Sequence, residues 1–263
     1  MILREGRDID DAVRAIRQLA NSAGTVRTGV ADEPKANYIK WVDDCERQLR
    51  NIFTDTDIAK DMITDRYWRL TAEGAGASLA FHTALGAEIE VQRDRLNALA
   101  DKLEELAKVA RRPGQIVIPD CNFYVHCMPM QDVKWCDVLK VEQVRLVMPY
   151  AVLDELDKVK DMKGDRSNRA RNVLKYVDQL IPDYSKSDMG ELRDKVTFEI
   201  FPDEPDHRRR WSMDEEIVDR GLLLQRLAGQ PVLILSDDRG MRIRTQRRGL
   251  QSRGVDDLRP PTT

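Results

Sequence analysis

At 263 residues the chain suits one large domain or two modest ones, and 41% apolar with 34% charged residues describes a globular protein with a heavily charged surface. No apolar run approaches the ~20 residues that cross a bilayer, and the N-terminal MILREGRDIDDAVR lacks an apolar core of signal-peptide type, so no membrane association and a cytoplasmic location are expected. A formal net charge of −3 does not advertise a nucleic-acid binder, but neither does it exclude one, because a cluster of catalytic carboxylates can offset a basic groove elsewhere.

The first 110 or so residues read as helical throughout. Ile9, Val13, Ile16 and Ala20 fall at helical spacing, and after Pro34 the series Tyr38, Trp41, Val42, Cys45, Leu49 and Ile52 continues it. Ile58, Met62, Ile63, Tyr67 and Leu70 predict a further helix over 57–70, which the glycines of TAEGAGASLA interrupt. A long run follows, with Ile89, Leu96, Leu99, Leu103 and Leu106 at nearly heptad spacing, broken by Gln92 and stopped by Pro113-Gly114. Such a stripe packs against helices of its own chain or, alternatively, serves self-association or a protein partner. No chemical motif lies in this half.

From Gln115 the pattern changes. QIVIP, VRLVMP, VTFEIF and PVLILS read as strands, with helices around 150–159, 166–181 and 213–228 between them. Strands alternating with amphipathic helices imply an α/β fold with a mostly parallel sheet covered by helices on both faces. The boundary falls near residue 112, giving an all-helical domain over 1–112 and an α/β domain over 113–263. The four cysteines (Cys45, Cys121, Cys127, Cys136) form no C-x-x-C pair, and His126, Cys127 and Cys136 match no common zinc spacing, so reduced and mostly buried thiols are expected.

The segment QIVIPDCNFYVH runs a buried-looking strand straight into Asp120. Open parallel sheets place their ligands at the carboxyl ends of their strands, which makes Asp120 a site candidate. Other acids share its setting. Asp154 and Glu155 lie in the first turns of the helix after VRLVMP, Asp214 opens the helix DEEIVDRGLLL, and PVLILS leads into Asp237-Asp238. Converging carboxylates repel one another unless a cation lies between them. Oxygen donors without nitrogen or sulfur suit Mg²⁺ or Mn²⁺, one ion or two, which activate water and stabilise a phosphodiester transition state. The competing reading is that each acid caps its own helix.

In that order, VIPDCNFYV, VMPYAVLDELDKVK, NRARNVLKYV, DEEIVDRGLLL and VLILSDDRGMRIR resemble a PIN domain, a metal-dependent nuclease fold, over roughly residues 115–256. The resemblance implies catalytic, metal-holding roles for Asp120, Glu155, Asp214 and Asp238, with Asn122, Ser236, Asp237 and Glu215 in support. Two departures stand out: Cys121 replaces the usual Thr or Ser, and Asp219 and Arg220 lie where the third-motif helix has small residues.

RGMRIRTQRRGLQSRG carries Arg239, Arg242, Arg244, Arg247, Arg248 and Arg253 with no acid among them. Guanidinium groups grip phosphates in bidentate fashion, so a basic wall beside a metal site fits a nucleic-acid backbone. Lys160, Lys163, Arg166, Arg169 and Arg171 form a second basic stretch, and HRRR at 207–210 a third. Aromatic residues near these stretches are sparse (Phe123, Tyr124, Trp211), so base stacking is not an obvious specificity device. The resemblance implies a Mg²⁺- or Mn²⁺-dependent endoribonuclease whose metal-activated water leaves 5′-phosphate and 3′-hydroxyl ends, and the choice of RNA over DNA rests on the resemblance alone. A structure-specific DNA nuclease and a non-catalytic RNA-binding module are the alternatives. A phosphatase of the haloacid-dehalogenase type needs a second Asp where Asn122 stands, and is discarded.

Overall fold

A computed structural model describes residues 2–28, 34–72, 78–203 and 207–256. The chain divides into two compact units, one of residues 1–111 with 226–229 and the other of residues 112–225 with 230–263. Among the described residues no helix is long and apolar enough to cross a membrane.

Among the described residues the first unit is built on five helices: α1 (Ile9–Thr28), α2 (Pro34–Ile52), α3 (Asp57–Lys60), α4 (Asp65–Ala72) and α5 (Leu79–Ala110). The single helix expected over 57–70 is two short ones. Thr64 accepts a hydrogen bond from the Tyr67 N–H at 3.0 Å and so starts a new helix, while its hydroxyl donates to Glu88 at 2.8 Å. Most of the glycine-rich break expected after Leu70 lies outside the described residues. The buried stripe of α5 also departs from the heptad reading. It runs through Leu85, Ile89, Gln92, Leu96, Ala100, Leu103 and Ala107, while Leu99 and Leu106 are half-buried. Gln92 therefore belongs to the seam: its amide donates to Glu88 at 2.9 Å, so its polar group goes into the core with a partner. Within this unit α5 packs mainly against α1.

The second unit carries β1 (Gln115–Pro119), α6 (Cys121–His126), α7 (Trp135–Leu139), β2 (Val144–Pro149), α8 (Tyr150–Lys160), α9 (Asp165–Leu180), β3 (Met189–Arg193), β4 (Val196–Phe201), α10 (Met213–Ala228), β5 (Leu233–Leu235), α11 (Arg239–Arg247) and β6 (Gln251–Arg253). The six strands form one sheet in the order β3-β4-β2-β1-β5-β6, parallel except for the β3–β4 pair. This is the mostly parallel sheet with flanking helices that the alternating pattern predicts. The buried residues of β1, β2 and β4 explain why those strands are legible, since a strand covered on both faces needs a continuous apolar run. β3 (MGELR) and β6 (QSR) sit at the sheet edges with polar, partly exposed residues, so nothing in their sequence marks them.

Two charged residues are buried together in the middle of the sheet, Arg145 on β2 and Glu199 on β4. Arg145 on β2, fully buried, donates from Nε to Glu199 Oε1 at 2.8 Å and from Nη2 to Oε2 at 2.7 Å, and from Nη1 to the Arg112 carbonyl at 2.9 Å. Arg112 adds a bond to Glu199 at 3.2 Å and one to Asp188 at 3.0 Å. A planar guanidinium satisfies both oxygens of one carboxylate, which is what lets this pair stand away from water.

Candidate active site

Parallel register fixes which residues can meet. Pro119 at the end of β1 pairs with Leu235 at the end of β5, and the Asp120 N–H donates to the Leu235 carbonyl at 2.9 Å. Asp120 and Ser236 are thus neighbours at one sheet edge. The buried Ser236 hydroxyl hydrogen-bonds the Asp120 carboxylate and accepts from the Asp238 N–H at 3.1 Å, so a single hydroxyl ties the first candidate acid to the last segment. Asp120 caps α6, accepting from the Phe123 N–H at 2.8 Å, yet it remains buried at 5% exposure. Burial raises its pKa to about 6; Ser236 and Phe123 oppose that shift, while the charges of Asp237 and Asp214 add to it.

Glu155 arrives from the next strand. It lies one turn beyond Ala151 and Val152, both fully buried, and so shares their inward face of α8. Its pKa is raised first by burial, then by the charges of Asp120 and Asp214, with Lys158 acting weakly against them. Asp154, one position earlier, turns away and pairs with Arg209.

Asp214 is carried in by α10, whose close approach depends on Gly221. A Cβ there would meet Ile234 at 3.3 Å, Leu250 at 3.4 Å and Ile118 at 3.5 Å, side chains of β5, β1 and the turn before β6. Asp214 sits two turns before Gly221 on the same face. Glu215 is exposed, with its charge acting on Arg210, and Glu216 is buried.

The two acids at the end of β5 divide their work. Asp238 caps α11 by accepting from the Met241 N–H at 2.8 Å, and a side chain at Gly240 would crowd that carboxylate at 3.0 Å. Asp237 accepts from the Val255 N–H at 2.7 Å and is the one whose charge bears on Asp120. The resemblance pointed to Asp238 as the fourth acid; the electrostatics give Asp237 at least an equal claim, a distinction that two adjacent identical residues cannot carry in sequence.

The sequence model of the PIN domain matches residues 117–256, more than half of the chain. The chain belongs to the PIN domain family. PIN domains are typically metal-dependent nucleases. None of the curated proteins compared matches the chain. The helices over 9–110 lie outside the PIN domain.

The acids of this PIN domain fit a hard divalent cation by the chemistry of their donors. Asp120, Glu155, Asp214 and Asp237 offer only oxygen. The nearby thiol of Cys121 is buried, and burial together with Glu155 and Asp120 pushes its pKa up to about 12, so it stays a neutral thiol and a poor ligand. Opposing charge is scarce: Arg244 pairs with Asp214, and Lys158 lies near Glu155. Tyr124 adds a buried hydroxyl that has no hydrogen-bond partner among the described residues.

A second group lies beyond the reach of sequence reasoning. Asp203, His207 and Glu216 place their candidate ligand atoms within 4.8 Å of one another, the one such group among the described residues, so the four strand-end acids stand wider apart. Charge at this second group is already compensated. His207 Nε2 meets Glu216 at 2.6 Å, the Arg210 N–H donates to Glu216 at 2.9 Å, and Arg209 donates to Asp203 at 2.6 Å. His207 was visible in sequence only as the start of a basic HRRR run.

The basic residues also sort themselves. Arg242 donates to the Ser236 carbonyl at 2.9 Å, Arg248 pairs with Asp219 at 2.7 Å, and Arg169 reaches the carbonyls of Val125 and Cys127 at 3.4 and 3.3 Å. These three hold the fold around the site. Arg171, Arg239 and Arg247 are exposed and have no ion pair among the described residues. The departure at Asp219 and Arg220 is accommodated by pairing: Asp219 takes Arg210 as well as Arg248, and the Arg220 guanidinium stacks 4.4 Å over the Phe201 ring.

Proposed function

We propose that the protein is a divalent-metal-dependent endoribonuclease that hydrolyses RNA phosphodiester bonds. The observation that carries this reading is the gathering of Asp120, Glu155 and Asp214, in which the charge of Asp214 pushes up the pKa of Asp120 and the charges of both push up that of Glu155, with the Arg244 guanidinium on Asp214 and the Lys158 ammonium near Glu155 opposing them. Carboxylates so arranged are unfavourable by themselves and become favourable around Mg²⁺ or Mn²⁺. When bound, such an ion supplies Lewis acidity to a water nucleophile and to the phosphate oxygens. Asp120, Glu155, Asp214 and one of Asp237 or Asp238 would hold it. Ser236 orients Asp120 through its hydroxyl, and Asn122 is exposed in the first turn of α6, beside Asp120 in the chain, where it can reach substrate. Arg171, Arg239 and Arg247 would hold the phosphates of the strand on either side.

The test sets single-stranded RNA beside flap DNA, each with Mn²⁺, with Mg²⁺ and with EDTA, for the native protein and Asp120→Asn. Internal cleavage of RNA that needs the metal and vanishes in the variant is the expected result. Preference for flap DNA moves the assignment to a structure-specific DNA nuclease. Cleavage that survives Asp120→Asn sinks the catalytic reading.

A further inference from the structure

The three aromatic residues near the basic stretches in sequence are separated by the structure. Phe123 and Tyr124 are buried at 1% and 4% exposure, but Trp211 is 104% exposed. A tryptophan holds one of the largest apolar surfaces of any side chain, and a fully solvated one beside a site is an unfilled contact. The segment that displays it is firmly held. His207 bonds Glu216 at 2.6 Å, Arg209 pairs with Asp154 on α8 and with Asp203, and Arg210 pairs with Asp219 at 2.6 Å. Three pinned positions thus stand beside two that reach outward. Arg208 is exposed and has no ion pair among the described residues, and Trp211 follows three residues later. Asp214 is three residues beyond Trp211, at most about 11 Å of extended backbone away. Asp154, to which the segment is tied, precedes Glu155.

An exposed ring and an unpaired guanidinium on a rigid segment beside phosphodiester chemistry match one ligand: an unpaired nucleotide, whose base stacks on the ring and whose phosphate pairs with the cation. From this we infer that Trp211, with Arg208, is a stacking station for an unpaired base a few nucleotides from the cleaved bond, and that it sets a preference for single strands over duplex. This rests on the nuclease reading above and adds the form of the substrate. Stacked bases inside a duplex present no free face to the ring, so discrimination follows from geometry without base-edge contacts.

The experiment measures binding in the Asp120→Asn protein, so that no strand is cut, using fluorescence anisotropy of labelled single-stranded RNA, single-stranded DNA and an RNA duplex. Trp211→Ala is expected to weaken both single strands roughly 5- to 150-fold, with duplex binding nearly unchanged and Trp211→Phe restoring most of the loss. Replacing one base at a time by an abasic position should cost affinity at one site in the parent and nothing there in Trp211→Ala. Equal single-strand affinity with and without Trp211 overturns the inference alone, as does an equal loss for single strand and duplex. If no nucleic acid binds the parent at all, the nuclease reading falls and this one with it.

Discussion

Two sets of buried carboxylates occupy the same α/β unit and are held in opposite ways. Glu199 lies in the middle of the sheet with both oxygens on Arg145 and a further bond from Arg112. Asp120 lies at the carboxyl edge and, among the described residues, accepts only from a backbone N–H and a serine hydroxyl, facing other acids. Glu216 resembles Glu199 in this respect, since a histidine and a backbone N–H meet its two oxygens. The difference separates a charge that the fold has neutralised from one that it has not, and the proposed metal site rests on that contrast.

Breaking the compensated pair should have the largest effect on the fold. Glu199→Ala removes the carboxylate that both Nε and Nη2 of the buried Arg145 bond, a loss of about 3–5 kcal/mol, and the melting temperature should drop by roughly 10 °C or more. A drop of only a degree or two would mean that water reaches Arg145. Asp120→Asn should do the reverse: cleavage falls by about 10²-fold or more, while the melting temperature holds or rises because a repelled charge is gone.

The uncompensated set also predicts the sign of a pH effect. Asp120 has its pKa raised to about 6 in the folded protein. Between the ordinary carboxylate range near 4 and about 6 the folded state holds a proton that the unfolded state has released, so stability falls as pH rises through that window. The melting temperature of metal-free protein should therefore decline from about pH 4 to about pH 7, in a manner that Asp120→Asn flattens. Excess Mn²⁺ should restore it at neutral pH and do little at about pH 4, where Asp120 and Glu155 carry protons. A Mn²⁺ shift of equal size at both pH values would place the ion elsewhere. The smallest effect sharpens the comparison from the cation side. Arg244 is the internal counter-ion of Asp214, and the pair is partly exposed. Arg244→Gln should tighten Mn²⁺ binding about two- to five-fold by calorimetry, and unchanged or weaker binding would show that Arg244 does not compete with the metal.

Much of this was legible in residue order. Buried parallel strands need unbroken apolar runs, so QIVIP, VRLVMP and VTFEIF announced β1, β2 and β4, and register then obliged the residues after them to share an edge. Asp120, Glu155 and Asp214 followed from that rule together with the resemblance. Edge strands β3 and β6 have no such constraint and left no signal. The heptad reading of α5 failed because a stripe counted by leucines alone passes over small and polar residues, Ala100, Ala107 and Gln92, that are buried with partners or by close approach.

The sequence by itself determined that the α/β region is a PIN domain and which acids follow its strands, because both depend on local pattern and on order along the chain. Only the tertiary structure decided which charges are compensated. It put Arg145 on Glu199, Arg209 on Asp154 and Asp203, and Arg248 on Asp219, and it left Arg239, Arg247 and Trp211 open to solvent. Pairing is a matter of distance in space, and a run of arginines looks the same in sequence whether its members hold the fold or wait for phosphate.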